Sequence, residues 1–302
     1  MDFTLTADQT TLATALEGLI APFKDMPVNF RGFALASDSL EAQLAEAEFF
    51  DIATTEGLGP VSAALTVERL ARLPFACEAA LSMLVRPFLP GGPWERPIAV
   101  VEQGRPGRFV AQAKTLVLVD GEKVSVARVT PEDVESVESI YAYPMGRLKK
   151  EVRGEALSSS EAVRVRRWLR VAMAAEAAGL MQAALDSTVD HLRVRKQFGR
   201  PLGSFQALRH RMAECAVLTG GARWLALKAA STESEADAAL AAFQAQESAT
   251  RLTYELHQML GAMGMTLEHP LHLWTYRLKA LLGELGGRAG NAREVARHAF
   301  SA

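Results

Sequence analysis

The sequence has few cysteines and no excess of charge of either sign. Among its 302 residues only Cys77 and Cys215 are cysteines, and neither belongs to a C-x-x-C pair. This spacing indicates neither a disulfide framework nor a cysteine-based zinc site. The formal net charge is −2, so the chain has no basic field that would attract nucleic acid or anionic lipid. We therefore expect neither of these as a partner.

The chain also lacks a long uninterrupted apolar run and a secretory signal pattern. Its longest apolar tract, 171–185, is interrupted by Glu176 and Gln182. A helix that spans a bilayer needs about 18 or more uninterrupted apolar residues. The N-terminal segment MDFTLTADQ has no basic stretch followed by an apolar core. We therefore expect a cytoplasmic protein without a membrane span.

The first two zones of the chain differ in periodicity. Residues 1–92 are helical in pattern: Thr6 and Gln9 form a capping box, a second helix is expected over 40–50, and Pro60 is placed to begin a third. Residues 93–157 begin with a Pro/Gly-rich link and continue with IAVVE and FVAQA, which have the composition of short strands. The segment LVLVDGEKVSVARV then predicts a tight hairpin at Asp120-Gly121.

The third zone, residues 158–302, is alanine-rich and again helical in pattern. Ser158 and Glu161 form a second capping box, and the first helix is expected to reach about residue 195. Further helices are expected over about 204–230, over about 236–260 and after Pro270. The predicted fold class is mainly α: an N-terminal helical domain (1–92), a reduced small β domain (93–157) and a C-terminal four-helix bundle (158–302).

The link between the first two helices of the bundle, RVRKQFGRPLGSFQ at 193–206, contains the strongest functional pattern. It combines guanidinium, amide and aromatic groups from Arg195, Arg200, Gln197, Gln206 and Phe198. Guanidinium forks bind phosphate, amides donate and accept hydrogen bonds, and an aromatic ring offers a stacking face. Such a corner is equipped to hold a phosphorylated ring cofactor. The alternative is a helix–turn–helix corner with solvated arginines.

This link resembles the R-K-x-F-G-x-x-[IL]-x-x-[FYH]-Q signature of the acyl-CoA dehydrogenase flavoproteins. The stretches 176–186 and Gln258-x-x-Gly261-x-x-Gly264 are similar to two further segments of that family. The resemblance implies an FAD site with one wall formed by Arg195, Gln197, Phe198 and Gln206. It also implies that the loop bearing Gln258, Gly261 and Gly264 reaches the flavin of a neighbouring subunit, and therefore at least a dimer.

Two departures from the family pattern concern the flavin cover and the catalytic base. The T-E-P-x-x-G-S-D-like segment of the family's larger β domain has no counterpart in 93–157. The family's usual base, a glutamate in a Y-E-G-T turn, falls on Leu285 or Gly286, and neither can accept a proton. Glu284 lies one or two positions away and remains a candidate, whereas the family's alternative position holds Leu169. No catalytic residue is assigned.

Two other groups of residues have a functional and a structural interpretation. Glu268, His269 and His272 could suggest a metal, but a zinc site needs three or four convergent ligands, so we expect a capped helix start and no metal. An arginine run could bind a phosphate of coenzyme A, although a solvated helix face is the favoured interpretation; its members are Arg164, Arg166, Arg167 and Arg170.

The resemblance implies FAD-dependent α,β-desaturation of an acyl-CoA thioester, with electrons passed to an electron-transfer flavoprotein or a similar acceptor. The reduced β domain and the missing base resemble the short subunit of paired-subunit bacterial acyl-CoA dehydrogenases, several of which act on bulky acyl-CoAs such as steroid fragments. The implied partner is then a longer dehydrogenase subunit. Two alternatives stay open: a non-catalytic structural companion of such a subunit, and a homo-oligomeric enzyme that uses Glu284 as base.

Overall fold

The computed structural model describes residues 4–28 and 30–300, so the first three residues of the N-terminal segment considered above lie outside it. Helices occupy both ends of the described chain and strands occupy its middle. The first four helices are α1 (Ala7–Ile20), α2 (Asp38–Glu46), α3 (Gly59–Ala71) and α4 (Ala80–Leu84). None of the helices in the described ranges is both long and apolar enough to cross a membrane.

The start of α1 confirms the first predicted capping box. Thr6 Oγ1 accepts a hydrogen bond from the Gln9 amide at 3.2 Å, and Gln9 Oε1 accepts one from the Thr6 amide at 3.1 Å. The second helix is shorter than predicted, because α2 ends at Glu46 and a 3₁₀ segment, Phe49–Thr54, follows. Glu48 has φ 57°, a left-handed conformation that an α-helix cannot include.

Seven strands lie between the two helical parts of the chain. They are β1 (Ile98–Glu102), β2 (Gly107–Arg108), β3 (Thr115–Asp120), β4 (Lys123–Arg128), β5 (Val134–Val137), β6 (Met145–Leu148) and β7 (Glu155–Ala156). One sheet has the order β1-β3-β4-β7 and the other β2-β6-β5. The predicted hairpin is confirmed: Asp120 pairs with Lys123, and Gly121 takes the φ of 59° that the turn requires.

The prediction of a strand over FVAQA is wrong. Phe109 has φ 62°, and Val110–Gln112 forms a 3₁₀ turn. The Phe109 amide donates to the Pro144 carbonyl at 2.6 Å, which extends the antiparallel pairing of β2 with β6 by one residue before the turn. Both Phe109 and Val110 are buried in a small second core between the sheets. The apolar residues of this segment are therefore buried in a turn. A buried turn needs the same apolar residues as a buried strand, so the two have a similar composition.

Five helices form the C-terminal part: α5 (Ser159–Val194), α6 (Gln206–Thr232), α7 (Glu235–Leu260), α8 (Leu271–Leu281) and α9 (Gly287–Phe300). A two-stranded ribbon, β8 (Lys196–Gln197) with β9 (Arg200–Pro201), joins α5 to α6. Ser158 and Glu161 form the predicted capping box at the start of α5. The fourth bundle helix starts after Pro270 as expected and ends at Leu281, and α9 continues the chain after a turn.

The helices approach closely because small residues lie at their contacts. Helix α5 packs against α3, α6, α7 and α8. A Cβ atom added to Gly179 of α5 would lie 2.0 Å from the Glu68 carbonyl oxygen of α3 and 2.8 Å from Ala71 Cβ. Alanine is the most common residue on the buried face of α7, at Ala238, Ala239, Ala241, Ala242, Ala245 and Ala249. The separation between these helices therefore depends on residues that have little or no side chain.

Candidate functional site

The predicted cofactor corner is an exposed ribbon at the end of α5. All eight residues from 193 to 200 are exposed. Phe198 is 88% exposed and has φ 55°, an uncommon conformation for a bulky residue. The Leu202 amide donates to the Arg195 carbonyl at 2.8 Å, and the Arg195 amide donates to the His191 carbonyl at 2.9 Å. The backbone of the corner is therefore fixed while its side chains face outward.

Phe205 supports this corner from the start of α6. The Phe198 and Phe205 rings meet edge to face with centroids 6.0 Å apart. The Arg200 guanidinium carbon lies 4.1 Å from the Phe205 ring centroid, in cation–π geometry. Gln206 follows as the first residue of α6, is exposed, and has its amide nitrogen 3.4 Å from His210 Nε2. Four predicted cofactor residues, Arg195, Gln197, Phe198 and Gln206, are thus present on one exposed surface.

The second predicted segment ends helix α7. Gln258 and Gly261 are exposed, and Gly261 terminates the helix with φ 60°. A Cβ atom at Gly261 would meet nothing within 4 Å, so its backbone is open to a ligand. Gly264 is buried instead, and its carbonyl lies 2.7 Å from His257 Nδ1. A Cβ atom there would lie 2.9 Å from the His257 carbonyl oxygen, so Gly264 has a packing role.

The fold brings both predicted segments to the same end of the bundle. Arg211 of α6 donates from Nε to Glu255 Oε2 of α7 at 2.5 Å. Gln206 lies about one and a half helical turns before Arg211, and Gln258 lies about one turn after Glu255. Because α6 and α7 are consecutive antiparallel helices, these two glutamines lie toward the same end of the helix pair. The sequence separation between them gives no indication of this proximity.

Glu268, His269 and His272 lie next to or within the start of α8, whose N-cap residue Pro270 makes no side-chain capping hydrogen bond. His269 Nδ1 accepts a hydrogen bond from the Leu271 amide at 3.2 Å, and the His191 and His269 rings meet edge to face at 5.5 Å. Within the described ranges no three histidine, cysteine or acidic residues could hold a metal ion together. Burial, reinforced by His191, His272 and His257, lowers the pKa of His269 to about 4.

This pKa predicts a pH-dependent loss of stability. His269 is neutral in the folded chain, and its ordinary pKa is 6.5, so between about pH 4 and 6.5 the unfolded chain binds more protons. Stability should therefore fall as the pH falls through this window. As the pH falls through this range, we expect the free energy of unfolding to decrease by about 1–2 kcal/mol less in His269→Asn than in the unmodified chain. This figure allows for the partial exposure of His269. Urea unfolding at several pH values measures the difference.

The matched control is His210→Asn, because His210 is an exposed histidine on α6. It should retain the pH dependence of the unmodified chain. Equal slopes for His269→Asn and the unmodified chain would contradict the assignment of this titration to His269.

The arginine run at the start of α5 is not uniformly solvated. Arg167 Nη1 donates to the Glu233 carbonyl at 2.6 Å, and Arg170 Nε donates to Asn291 Oδ1 at 3.0 Å. The side chains of these two arginines are only 17% and 12% exposed. The favoured interpretation of a solvated face is therefore wrong for Arg167 and Arg170, which tie α5 to the chain around α7 and α9.

A large groove lies away from the cofactor corner. It has a volume of about 1260 Å³ and lies between the β3–β4 hairpin, the segment before β7 and the first turns of α5. Apolar residues such as Leu118, Val124 and Val152 line it. Its charged rim contains four basic and three acidic residues, namely Lys123, Lys149, Lys150, Arg166, Asp120, Glu122 and Glu151. With charges so nearly balanced, the groove by itself does not select an anionic ligand.

The turn between α8 and α9 contains Leu285 and Gly286, the positions that the resemblance assigns to the family's usual base. Leu285 has φ 56° and ψ 39°, and its amide donates to Glu102 Oε1 of β1 at 2.6 Å. Glu284 does not have a free carboxylate: Arg108 Nε donates to its Oε1 at 2.7 Å and Arg108 Nη2 to its Oε2 at 3.3 Å. Leu169, at the alternative position, is 2% exposed. The candidate base at Glu284 is therefore an ion-pair partner.

Sequence reasoning missed the residues that surround Glu284. Arg108, at the end of β2, is 5% exposed, and its Nη1 also donates to Glu176 Oε2 at 2.6 Å. Tyr143 Oη donates to Glu176 Oε1 at 2.7 Å. We call these four residues, Arg108, Tyr143, Glu176 and Glu284, the Arg108 cluster. The available signal was a glutamate inside an otherwise apolar helical tract, since a buried carboxylate needs a partner.

Electrostatics keep Arg108 charged in this buried setting. Burial by itself lowers the pKa of Arg108, but the carboxylates of Glu176 and Glu284 outweigh burial and raise its pKa well above the ordinary value. Burial, followed by the nearby Glu176 carboxylate, raises the pKa of Tyr143 well above its ordinary value. Tyr143 is therefore a hydrogen-bond donor at neutral pH. The cluster consists of a charged guanidinium, a neutral phenol and two carboxylates.

Comparison with known proteins finds one family that resembles the C-terminal part of the chain. Residues 164–298 match the model of the acyl-CoA dehydrogenase C-terminal domain. A curated relative, the acyl-CoA dehydrogenase IpdE2 of Mycolicibacterium smegmatis, is 38% identical over 128 residues. That alignment covers 42% of this chain and 41% of the relative, so the sequence likeness spans less than half of either protein.

The solved structures extend the likeness of fold to the whole chain. The ChsE4-ChsE5 complex from Mycobacterium tuberculosis contains a chain that superposes with a TM-score of 0.76 at 20% identity, covering 100% of both chains. Butyryl-CoA dehydrogenase from Megasphaera elsdenii gives a TM-score of 0.78 at 18% identity, covering 99% of this chain and 100% of that one. Residues 164–298 therefore resemble an acyl-CoA dehydrogenase C-terminal domain, and the whole chain shares the fold of these solved structures.

Proposed function

We propose that this chain is an acyl-CoA dehydrogenase subunit that contributes to FAD-dependent α,β-desaturation of an acyl-CoA thioester. The single observation that carries the proposal is a contrast between two parts of the chain. The donors of the cofactor corner are exposed and available, whereas Leu285 and Gly286 occupy the usual position of the base and Glu284 is held by Arg108. Such a chain is equipped to hold the cofactor and depends on a partner for proton abstraction.

The groups at the corner fit an FAD wall. Arg195, Gln197 and Gln206 would donate to the pyrophosphate, and the exposed Phe198 ring would stack on a flat part of the cofactor. Gly261 presents open backbone that a ligand can approach closely. Bound flavin supplies the acceptor for the hydride that leaves the β-carbon. The electrons gained in this reaction would then pass to an electron-transfer flavoprotein or a similar acceptor.

The partner in this proposal is a longer acyl-CoA dehydrogenase subunit. The exposure of the corner supports this partner. The corner would contact only one side of a dinucleotide, and a second protein surface would cover the other side. The described fold neighbour from Mycobacterium tuberculosis is a complex of two differently named chains, which supports pairing between unlike subunits. The base and the missing flavin cover would both come from that partner.

A non-catalytic structural companion is the second candidate. It is favoured by the segment 93–157, which has no T-E-P-x-x-G-S-D-like stretch to cover a flavin ring. In this role the chain would stabilise a full-length dehydrogenase and hold no cofactor. The third arrangement, a homo-oligomer with Glu284 as base, requires the Arg108–Glu284 ion pair to open.

Co-expression with a longer dehydrogenase subunit tests these three arrangements. We expect a yellow complex with both chains, whose flavin absorbance is bleached by an acyl-CoA and whose reduction persists in the Glu284→Gln variant. A colourless complex would indicate the structural companion. Yellow protein from this chain alone, reduced by an acyl-CoA but inactive as Glu284→Gln, would establish the homo-oligomer instead.

A further inference from the structure

The turn between α8 and α9 is held from two sides by side chains distant in sequence. From the sheet side, Glu102 of β1 accepts from the Leu285 amide, and Arg108 of β2 binds the Glu284 carboxylate. From the bundle side, Gln246 Nε2 of α7 donates to the Leu281 carbonyl at 2.9 Å and to the Glu284 carbonyl at 3.0 Å. The turn is thus fixed between the β region and the bundle.

Leu285 itself shows that this fixation is strong. Its φ of 56° and ψ of 39° lie in the left-handed region, which is unfavourable for a residue with a branched side chain. Such a conformation persists only where the surroundings over-determine it, and it is common where a segment has to be held in one arrangement. The glycines that follow, Gly286 and Gly287, have φ values of 77° and 63° and complete the reversal without a side chain.

Arg108 is the residue that joins the two sides. Its guanidinium donates to three carboxylate oxygens, one on Glu176 of α5 and two on Glu284. The paired donation to Glu284 matches the fork of an arginine to the two oxygens of a carboxylate. Because the arginine is buried, loss of either carboxylate would leave some of its N–H donors without an acceptor, so both carboxylates contribute to holding the guanidinium in place.

We propose that Arg108 is a positioning residue that fixes the 284–287 turn, with Glu284 serving as its counter-ion and not as a proton acceptor. The inference rests on the proposed function only in that a partner supplies the base. Both Glu284 oxygens are engaged by Arg108, so the carboxylate closest to the family's base position is withdrawn from proton transfer. The same ion pair attaches the small β region to the turn between α8 and α9.

Amide hydrogen exchange of the full chain tests this role directly. In Arg108→Gln and in Glu284→Gln we expect exchange of the Leu285 amide to accelerate at least about tenfold relative to amides in the middle of α5. The double variant should be no faster than the faster single variant, because both changes remove the same contact. The control is Arg147→Gln on β6, whose partner Glu135 forms an exposed ion pair at 2.6 Å. It should leave Leu285 unchanged.

Three results would overturn the inference. These are unchanged Leu285 protection in Glu284→Gln, additive acceleration in the double variant, and loss of flavin reduction in Glu284→Gln while Leu285 stays protected. If Arg108→Gln does not fold because Glu176 is left unpaired, Glu284→Gln still decides the question, since the Glu284 side chain is 25% exposed. The exchange measurement needs no flavin, so a colourless complex would reject the proposed function and leave this test intact.

Discussion

Replacing Gly179 with alanine is expected to lower the free energy of unfolding by about 3 kcal/mol, at the upper end of the usual cost of overpacking. The new Cβ atom would lie 2.0 Å from the Glu68 carbonyl oxygen and 2.8 Å from Ala71 Cβ. The closest obstacle is helix backbone, which cannot rotate away as a side chain can. Helices α3 and α5 would have to separate, and the buried contacts around them would loosen. Urea denaturation followed by circular dichroism measures the loss.

Gly220→Ala on α6 is the matched control for this change. A Cβ atom at Gly220 would meet nothing within 4 Å. Alanine is favoured over glycine inside a helix by roughly 0.5–1 kcal/mol, so this variant should be slightly more stable than the unmodified chain. The same glycine-to-alanine substitution should therefore lower the free energy of unfolding at position 179 and raise it at position 220. A neutral Gly179→Ala variant would mean that α3 and α5 are farther apart than described.

Replacing Arg195 with alanine is expected to weaken flavin retention by the co-purified complex by roughly 10- to 100-fold. A charge-assisted hydrogen bond contributes about 1.5–3 kcal/mol, which corresponds to this range. Arg195 is exposed, so the substitution should leave the stability of the chain itself almost unchanged. Titration of the flavin-depleted complex with FAD, followed by flavin fluorescence, gives the dissociation constant for each variant.

Arg193→Ala provides the control for position and charge. Arg193 is two residues away, its side chain is 72% exposed, and it forms an ion pair with Asp190 at 3.2 Å. The Arg193→Ala substitution removes the same charge from the same corner. A similar loss of FAD affinity in both variants would therefore indicate a diffuse electrostatic effect. A loss confined to Arg195 would support a direct contact with the pyrophosphate. Unchanged affinity in Arg195→Ala would remove this residue from the proposed site.

Features determined by neighbouring residues were predictable from the sequence. The capping boxes at Thr6 and Ser158 are both present, and the β3–β4 hairpin turns at Gly121. Each depends on interactions within about three or four residues, which a linear pattern records directly. The helical patterns on either side of 193–206 likewise predicted a corner between two long helices, and the structure contains one. Whether that corner binds flavin remains a prediction.

Features determined by distant residues were not predictable. Arg108 and Glu284 are separated by 176 positions, and neither has a local pattern that points to the other. Arg167 and Arg170 have the spacing of a solvated helix face, yet their partners lie on later parts of the chain. The segment over Val110–Gln112 has a strand-like composition because a buried turn and a buried strand require the same apolar residues. Tertiary packing decided each case.

The outward-facing corner at 193–200 makes the unassembled chain vulnerable to proteolysis. Arg193, Arg195 and Lys196 are exposed, and none of them is followed by proline. A protease that cleaves after basic residues would therefore find three closely spaced exposed sites between the end of α5 and the ribbon, and a subunit that covered this corner, as proposed above, would shield all three. Under the proposed pairing, the cellular lifetime of this chain would follow the abundance of the longer subunit, and excess copies would be degraded.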